Sequence, residues 1–99
     1  MKAVRYLVIY DITDDNLRTL VAESLKDYGL ARIQYSAFIG HLRRDKLNSL
    51  IVDLRNLIKE ALENVQFYPV CDNCFKGRKE VGKRKRYRLV EEKAKVAYF

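Results

Sequence analysis

Tyr6-Leu7-Val8-Ile9-Tyr10-Asp11-Ile12 is an apolar run broken by one carboxylate. Six of these seven residues are β-branched, aromatic or leucine, the composition of a buried central strand. Thr13-Asp14-Asp15-Asn16 follows at once and reads as a helix start. A carboxylate at the mouth of a buried strand is costly unless it is solvated, hydrogen-bonded or bound to a cation. Asp11 is therefore the first candidate for chemistry. One reading hydrogen-bonds it to the start of the following helix. The other makes it a ligand for a hard divalent cation such as Mg²⁺, which takes one or two carboxylates with waters and phosphate oxygens. Two-fold symmetry would bring a second Asp11 to the same phosphate. Asp14 and Asp15 read as a helix cap and its dipole partner.

Downstream, Leu17, Leu20, Val21, Ser24, Leu25 and Tyr28 fall on one face of an amphipathic helix, which Gly29 closes. Ala31 to Leu42 is strand-like, with Ile33, Tyr35, Ala37 and Ile39 on one side and Arg32, Gln34, Ser36 and Phe38 on the other. The run is long for one strand, and a bend near Ser36 would split it. Arg43-Arg44-Asp45 opens a second helix, whose apolar stripe runs from Leu47 through Leu50, Ile51, Leu54, Leu57, Ile58 and Ala61 to Leu62. Val65-Gln66-Phe67-Tyr68 resumes strand character and Pro69 marks its edge.

This order predicts an α+β fold: a ferredoxin-like βαββαβ sandwich with both helices on one face of an antiparallel sheet. The opposite face is left without a helix, to meet water, nucleic acid or another subunit. Residues 1–75 are expected to form this core, and residues 76–99 a basic connector and a C-terminal strand of the same domain. Leu89-Val90 and Val96-Ala97-Tyr98-Phe99 supply that strand. An apolar terminus on a reach of connector suits exchange with a second copy, so a homodimer is expected.

The net charge of +7 is concentrated. Residues 1–75 carry ten basic and ten acidic side chains, whereas residues 76–95 carry ten basic and three acidic ones. Lys83, Arg84, Lys85, Arg86 and Arg88 are the candidate contacts to a polyanion, RNA or DNA. No apolar run approaches the ~20 residues that cross a bilayer, so no membrane partner is expected. Two cysteines and a first strand that begins almost at once predict a reducing, cytoplasmic setting.

Triad hydrolysis is poorly supported, because His41 is the one histidine and has no evident nucleophile partner. Cys71-Asp72-Asn73-Cys74 has the spacing of half a zinc site or a redox pair, but with no second pair or histidine cluster in the chain the plainer reading is reduced thiols in a turn; a dimer could combine two such pairs into a four-cysteine site.

Tyr10-Asp11-Ile12, Asn16-Leu17-Arg18, Gly29, Arg32-Ile33-Gln34-Tyr35-Ser36-Ala37-Phe38 and Phe67-Tyr68-Pro69-Val70-Cys71 together resemble the CRISPR-associated protein two family, over residues 4 to about 75. The resemblance implies a homodimeric ferredoxin-like subunit of the spacer-acquisition machinery, partnered by an integrase subunit. It implies a divalent metal, Mg²⁺, between the two Asp11 side chains, and endonuclease activity on single-stranded RNA or on DNA. It maps nuclease residues onto Tyr10, Arg18, Arg32 and Phe38. Some members carry another arginine two places after the one matched by Arg18; here Leu20 stands there, on the helix's apolar stripe. Arg32 and Phe38 share one side of their strand, where a phosphate could be clamped and a base stacked. The rival reading is a non-catalytic DNA-binding scaffold that bridges integrase dimers. A third, an RNA-recognition module, lacks its basic-Gly-aromatic strand signature.

Overall fold

The computed structural model describes residues 2–59 and 62–83. Its elements run β1 (Val4–Asp11), α1 (Asp15–Asp27), β2 (Ala31–Gln34), β3 (Ala37–Leu42), α2 (Arg44–Ile58), β4 (Asn64–Pro69) and α3 (Asp72–Lys76). The sheet order is β2-β3-β1-β4 and each neighbouring pair is antiparallel. This is the ferredoxin-like arrangement: each crossover helix carries the chain over one intervening strand.

β1 holds the centre, paired on one side to β3 (Val8 opposite Phe38) and on the other to β4 (Val8 opposite Phe67). Its even-numbered residues, Tyr6, Val8 and Tyr10, enter the core with Phe38 and Leu42 of β3 and Val65 and Phe67 of β4. α1 adds Val21, Ala22 and Leu25 to that core, and α2 adds Leu50 and Leu54. The odd-numbered residues of β1 point to the opposite, open face.

Local chemistry explains the helix ends. The Asp14 carboxylate accepts the Asn16 N–H at 3.1 Å, capping α1. At the other end Gly29 takes φ +89°, Leu30 N–H reaches Leu25 O at 3.1 Å and Gly29 N–H reaches Lys26 O at 2.9 Å. These two bonds satisfy carbonyls that the helix leaves open, and they bring Leu30 against Leu25 inside the core. Tyr28 O–H then ties α1 to Asp53 of α2 at 2.6 Å.

The bend near Ser36 is a tight turn at Tyr35 and Ser36 that divides β2 from β3. Three expectations need correction. The second helix ends at Ile58, where Lys59 adopts φ 55°, and Leu62 is 94% exposed; Ala61 lies outside the described residues. Leu20 is 46% exposed, because the buried arc of α1 centres on Val21, Ala22 and Leu25. The open face does carry a helix at one corner. There α3 lays Phe75 against Arg5 of β1, and a cleft of about 310 Å³ separates residues 70–80 from Leu7, Ile33 and Ile39. Ile39, which lines that cleft, is thus buried on a face expected to be bare.

The predicted terminal strand, Leu89 to Phe99, lies outside the described residues, as do Arg84, Lys85, Arg86 and Arg88. No helix among the described residues is long and apolar enough to cross a membrane.

Gly40 sits where β3 passes the end of α1. A Cβ there would lie 2.5 Å from Leu30 Cδ2 and 3.1 Å from Leu30 Cα, so the buried Leu30 side chain and its backbone would both have to shift. Gly40→Ala should therefore cost about 1–3 kcal/mol through overpacking, read as a proportionate fall in the urea midpoint.

Candidate functional site

Asp11 and Tyr10 are sequence neighbours at the end of β1, so the strand sends them to opposite faces of the sheet. On the open face Asp11 is exposed and sits opposite Asn64 of β4. Among the described residues, no hydrogen bond or ion pair engages its carboxylate. Of the two readings of Asp11, the bond to the helix start is absent; Asp14 caps the helix, as its sequence position predicts. The nearby acids are also committed. Asp15 pairs with Arg18, and Glu63 accepts the Thr13 N–H at 3.1 Å and the Thr13 hydroxyl at 3.3 Å. No group of three His, Cys, Asp or Glu side chains converges among the described residues. One protomer thus offers one hard oxygen donor here, which fits Mg²⁺ held by a single carboxylate with waters and phosphate oxygens.

On the helix-covered face a second constellation forms around the Tyr35 turn. Arg32 donates to the carbonyl of Tyr35, and the Tyr10 hydroxyl donates to the same oxygen at 3.4 Å. Arg32 is only 6% exposed. Its guanidinium lies 4.8 Å above the Phe38 ring and 6.0 Å from the ring of Tyr35, and its Nε has no partner. Arg18 folds back from α1, donates to the carbonyl of Ile12 at 3.0 Å, and stands 5.8 Å from the Tyr35 ring. Tyr10 and Phe38 pack with centroids 6.2 Å apart. Burial raises the Tyr10 phenol above its ordinary value of 10.0, and the Arg32 charge opposes part of that rise.

The residues mapped by resemblance therefore fall into two groups. Tyr10, Arg18, Arg32 and Phe38 come together, while Asp11 stands across the sheet from them. Phe38 cannot stack on a base as expected, because it is 0% exposed and fills the core beneath Arg32. Arg32 and Phe38 do share a side, as partners in the β2–β3 register. Sequence reading missed Tyr35, which is 54% exposed and accepts from both Arg32 and Tyr10 through its carbonyl. Its signal was an aromatic residue at the bend, three places from Arg32.

The basic quarter begins inside the described residues. The guanidinium groups of Arg5 and Arg78 both stack on the Phe75 ring, at 4.1 Å and 3.8 Å from its centroid, and Arg5 pairs with Asp72 at 3.0 Å. Lys83 is exposed.

The family described as CRISPR associated protein Cas2 matches residues 4–78. The CRISPR-associated endoribonuclease Cas2 of Korarchaeum cryptofilum is 42% identical over 82 residues, which span 83% of this chain and 88% of that protein. The crystal structure of a hypothetical protein from Thermus thermophilus aligns with a TM-score of 0.70 at 34% identity, over 83% of this chain and 93% of that one. A chain of a partial Cas6-RT-Cas1–Cas2 complex aligns with a TM-score of 0.70 at 25% identity, over 79% and 90%.

The raised Tyr10 phenol sets an alkaline limit. Its neutral form is favoured by folding, so its contribution is complete below the unfolded value near 10.0 and is lost as pH rises through the higher folded value. Tyr10→Phe should lose less stability than the parent between neutral pH and pH of about 11, measured as urea midpoints across that range.

Proposed function

The chain belongs to the CRISPR-associated protein Cas2 family, and we propose that it is a metal-dependent endoribonuclease acting in spacer acquisition. The observation that carries this reading is the unengaged Asp11 carboxylate on the open face, at the end of the central strand. The endoribonuclease name of its Korarchaeum relative supports RNA as substrate; DNA is a further substrate of the same phosphodiester chemistry.

Asp11 would hold the Mg²⁺. The bound ion supplies Lewis-acid stabilisation of charge on the scissile phosphate. A single carboxylate per chain favours a homodimer in which two copies of Asp11 face one another. Tyr10, Arg18, Arg32 and Phe38 act as positioning residues within the protomer. They pin the Tyr35 turn and the end of β1, and so set where Asp11 projects. Lys83 and the arginines and lysine at 84–88 draw the polyanion to the chain by charge. Residues 1–75 serve as the folded core in this scheme, and residues 76–99 as its basic extension.

A second reading is a scaffold that binds DNA beside an integrase subunit. It is favoured by the likeness to a chain of a complex whose name includes Cas1.

Asp11→Asn keeps the side-chain shape and removes its charge. It should abolish Mg²⁺-dependent cleavage of single-stranded RNA while the circular dichroism spectrum and sedimentation coefficient stay unchanged. Cleavage at the parental rate would leave the scaffold reading in place of the nuclease. Both readings share the basic quarter. Replacing Lys83, Arg84 and Arg86 with Gln should flatten the log–log salt dependence of binding. The slope should fall by ~0.9 on duplex DNA, or ~0.7 on single strands, for each phosphate no longer neutralised, in titrations over a range of salt. An unchanged slope would place the nucleic acid elsewhere.

A further inference from the structure

Cys71 and Cys74 take no part in the site described above, yet the fold gives them unequal environments. Cys71 is the N-cap of α3, and its Sγ accepts the Cys74 N–H at 3.3 Å. Both cysteines are exposed and unoxidised.

We propose that Cys71 and Cys74 form a thiol–disulfide exchange site for low-molecular-weight disulfides, with Cys71 as the attacking sulfur and Cys74 as the resolving one. Three observations favour this use over the alternatives. A cap alone would be better served by Ser or Asp, since a thiol is a weak acceptor and capping needs no second sulfur. A tetrahedral soft-metal site needs four ligands, and no third His, Cys, Asp or Glu joins these two among the described residues. The neighbouring Asp72 carboxylate is paired with Arg5. The two thiols also differ in acidity as the two roles require. The Cys74 N–H and then the Cys74 side chain hold Cys71 below the ordinary thiol value, whereas the hydrogen bond to Cys71 holds Cys74 above it.

The chemistry balances in two steps. The Cys71 thiolate attacks one sulfur of a small disulfide RS–SR, forming a Cys71–SR mixed disulfide and releasing RS⁻. The Cys74 sulfur, losing its proton, attacks the Cys71 sulfur and expels the second RS⁻. Two electrons pass from the protein dithiol to the small disulfide, and the products are the Cys71–Cys74 disulfide and two RSH. The Cys71 Sγ lies 3.3 Å from the Cys74 backbone nitrogen, on the same turn as its proposed partner.

The test uses the full reduced chain with oxidised glutathione, read by intact mass and free-thiol titration. The parent should lose both thiols and two hydrogens, with no glutathione retained. Cys74→Ser should accumulate one glutathione per chain. Cys71→Ser keeps a capping oxygen and so preserves α3, but should react about tenfold more slowly than Cys74→Ser at neutral pH. Equal rates in the two variants would overturn the assignment of roles and with it the proposal. So would a stable glutathione adduct on the parent, a disulfide joining two chains, or retention of Zn²⁺ that protects both thiols.

Discussion

The alternation of side chains along β1 is the constraint on which the rest of the molecule depends. Each residue of a strand faces away from its neighbour, and β1 is hydrogen-bonded on both edges, so no slip in register is available without turning the core outward. Tyr6, Val8 and Tyr10 are thereby committed to the helices, and Arg5 and Asp11 to the open face. The separation of the phenol from the carboxylate follows from this alone.

On the helix side, the constraint produces a buried cation without a carboxylate. Arg32 is held by a carbonyl oxygen and by the faces of two rings, contacts that offset desolvation less fully than an ion pair does. Such a group survives because Tyr10, Phe38 and the Tyr35 turn surround it on rigid strands. On the open side the same guanidinium chemistry appears in solvent, where Arg5 and Arg78 share the ring of Phe75 and Asp72 balances one of the charges. One cation stiffens the end of the sheet, and the other two fasten a short helix to it.

Much of this was legible in the residues. The apolar heptad, the stripe closed by Gly29 and the overlong run interrupted at Ser36 each report local backbone chemistry, and each corresponds to an element. What escaped was set by tertiary contact. Leu20 and Leu62 fit their helical stripes by spacing, yet face solvent, because nothing packs over one and the helix has ended before the other. Phe38 has the spacing of a stacking platform, but the cover supplied by α1 and α2 makes it core. The one-turn α3 is too short to show a period, and its packing on Arg5 joins residues far apart in the chain. Asp11 was recognisable as anomalous from its neighbours alone, but the face it occupies required the register of three strands.

The strand order carries a consequence for how the chain comes to be folded. β1 is synthesised first, yet both of its ladders are long-range, to residues 37–42 and 64–69. Only the β2–β3 hairpin and the helices can form from neighbouring residues. The sheet is therefore incomplete until Pro69 has been made: the apolar heptad of β1 waits unpaired until β3 follows α1, and its other edge stays open through the synthesis of α2. High contact order of this kind slows folding and prolongs exposure of a sticky edge. The carboxylate near the end of that heptad places a charge in a segment otherwise prone to associate, the position that gatekeeper residues take beside hydrophobic strands.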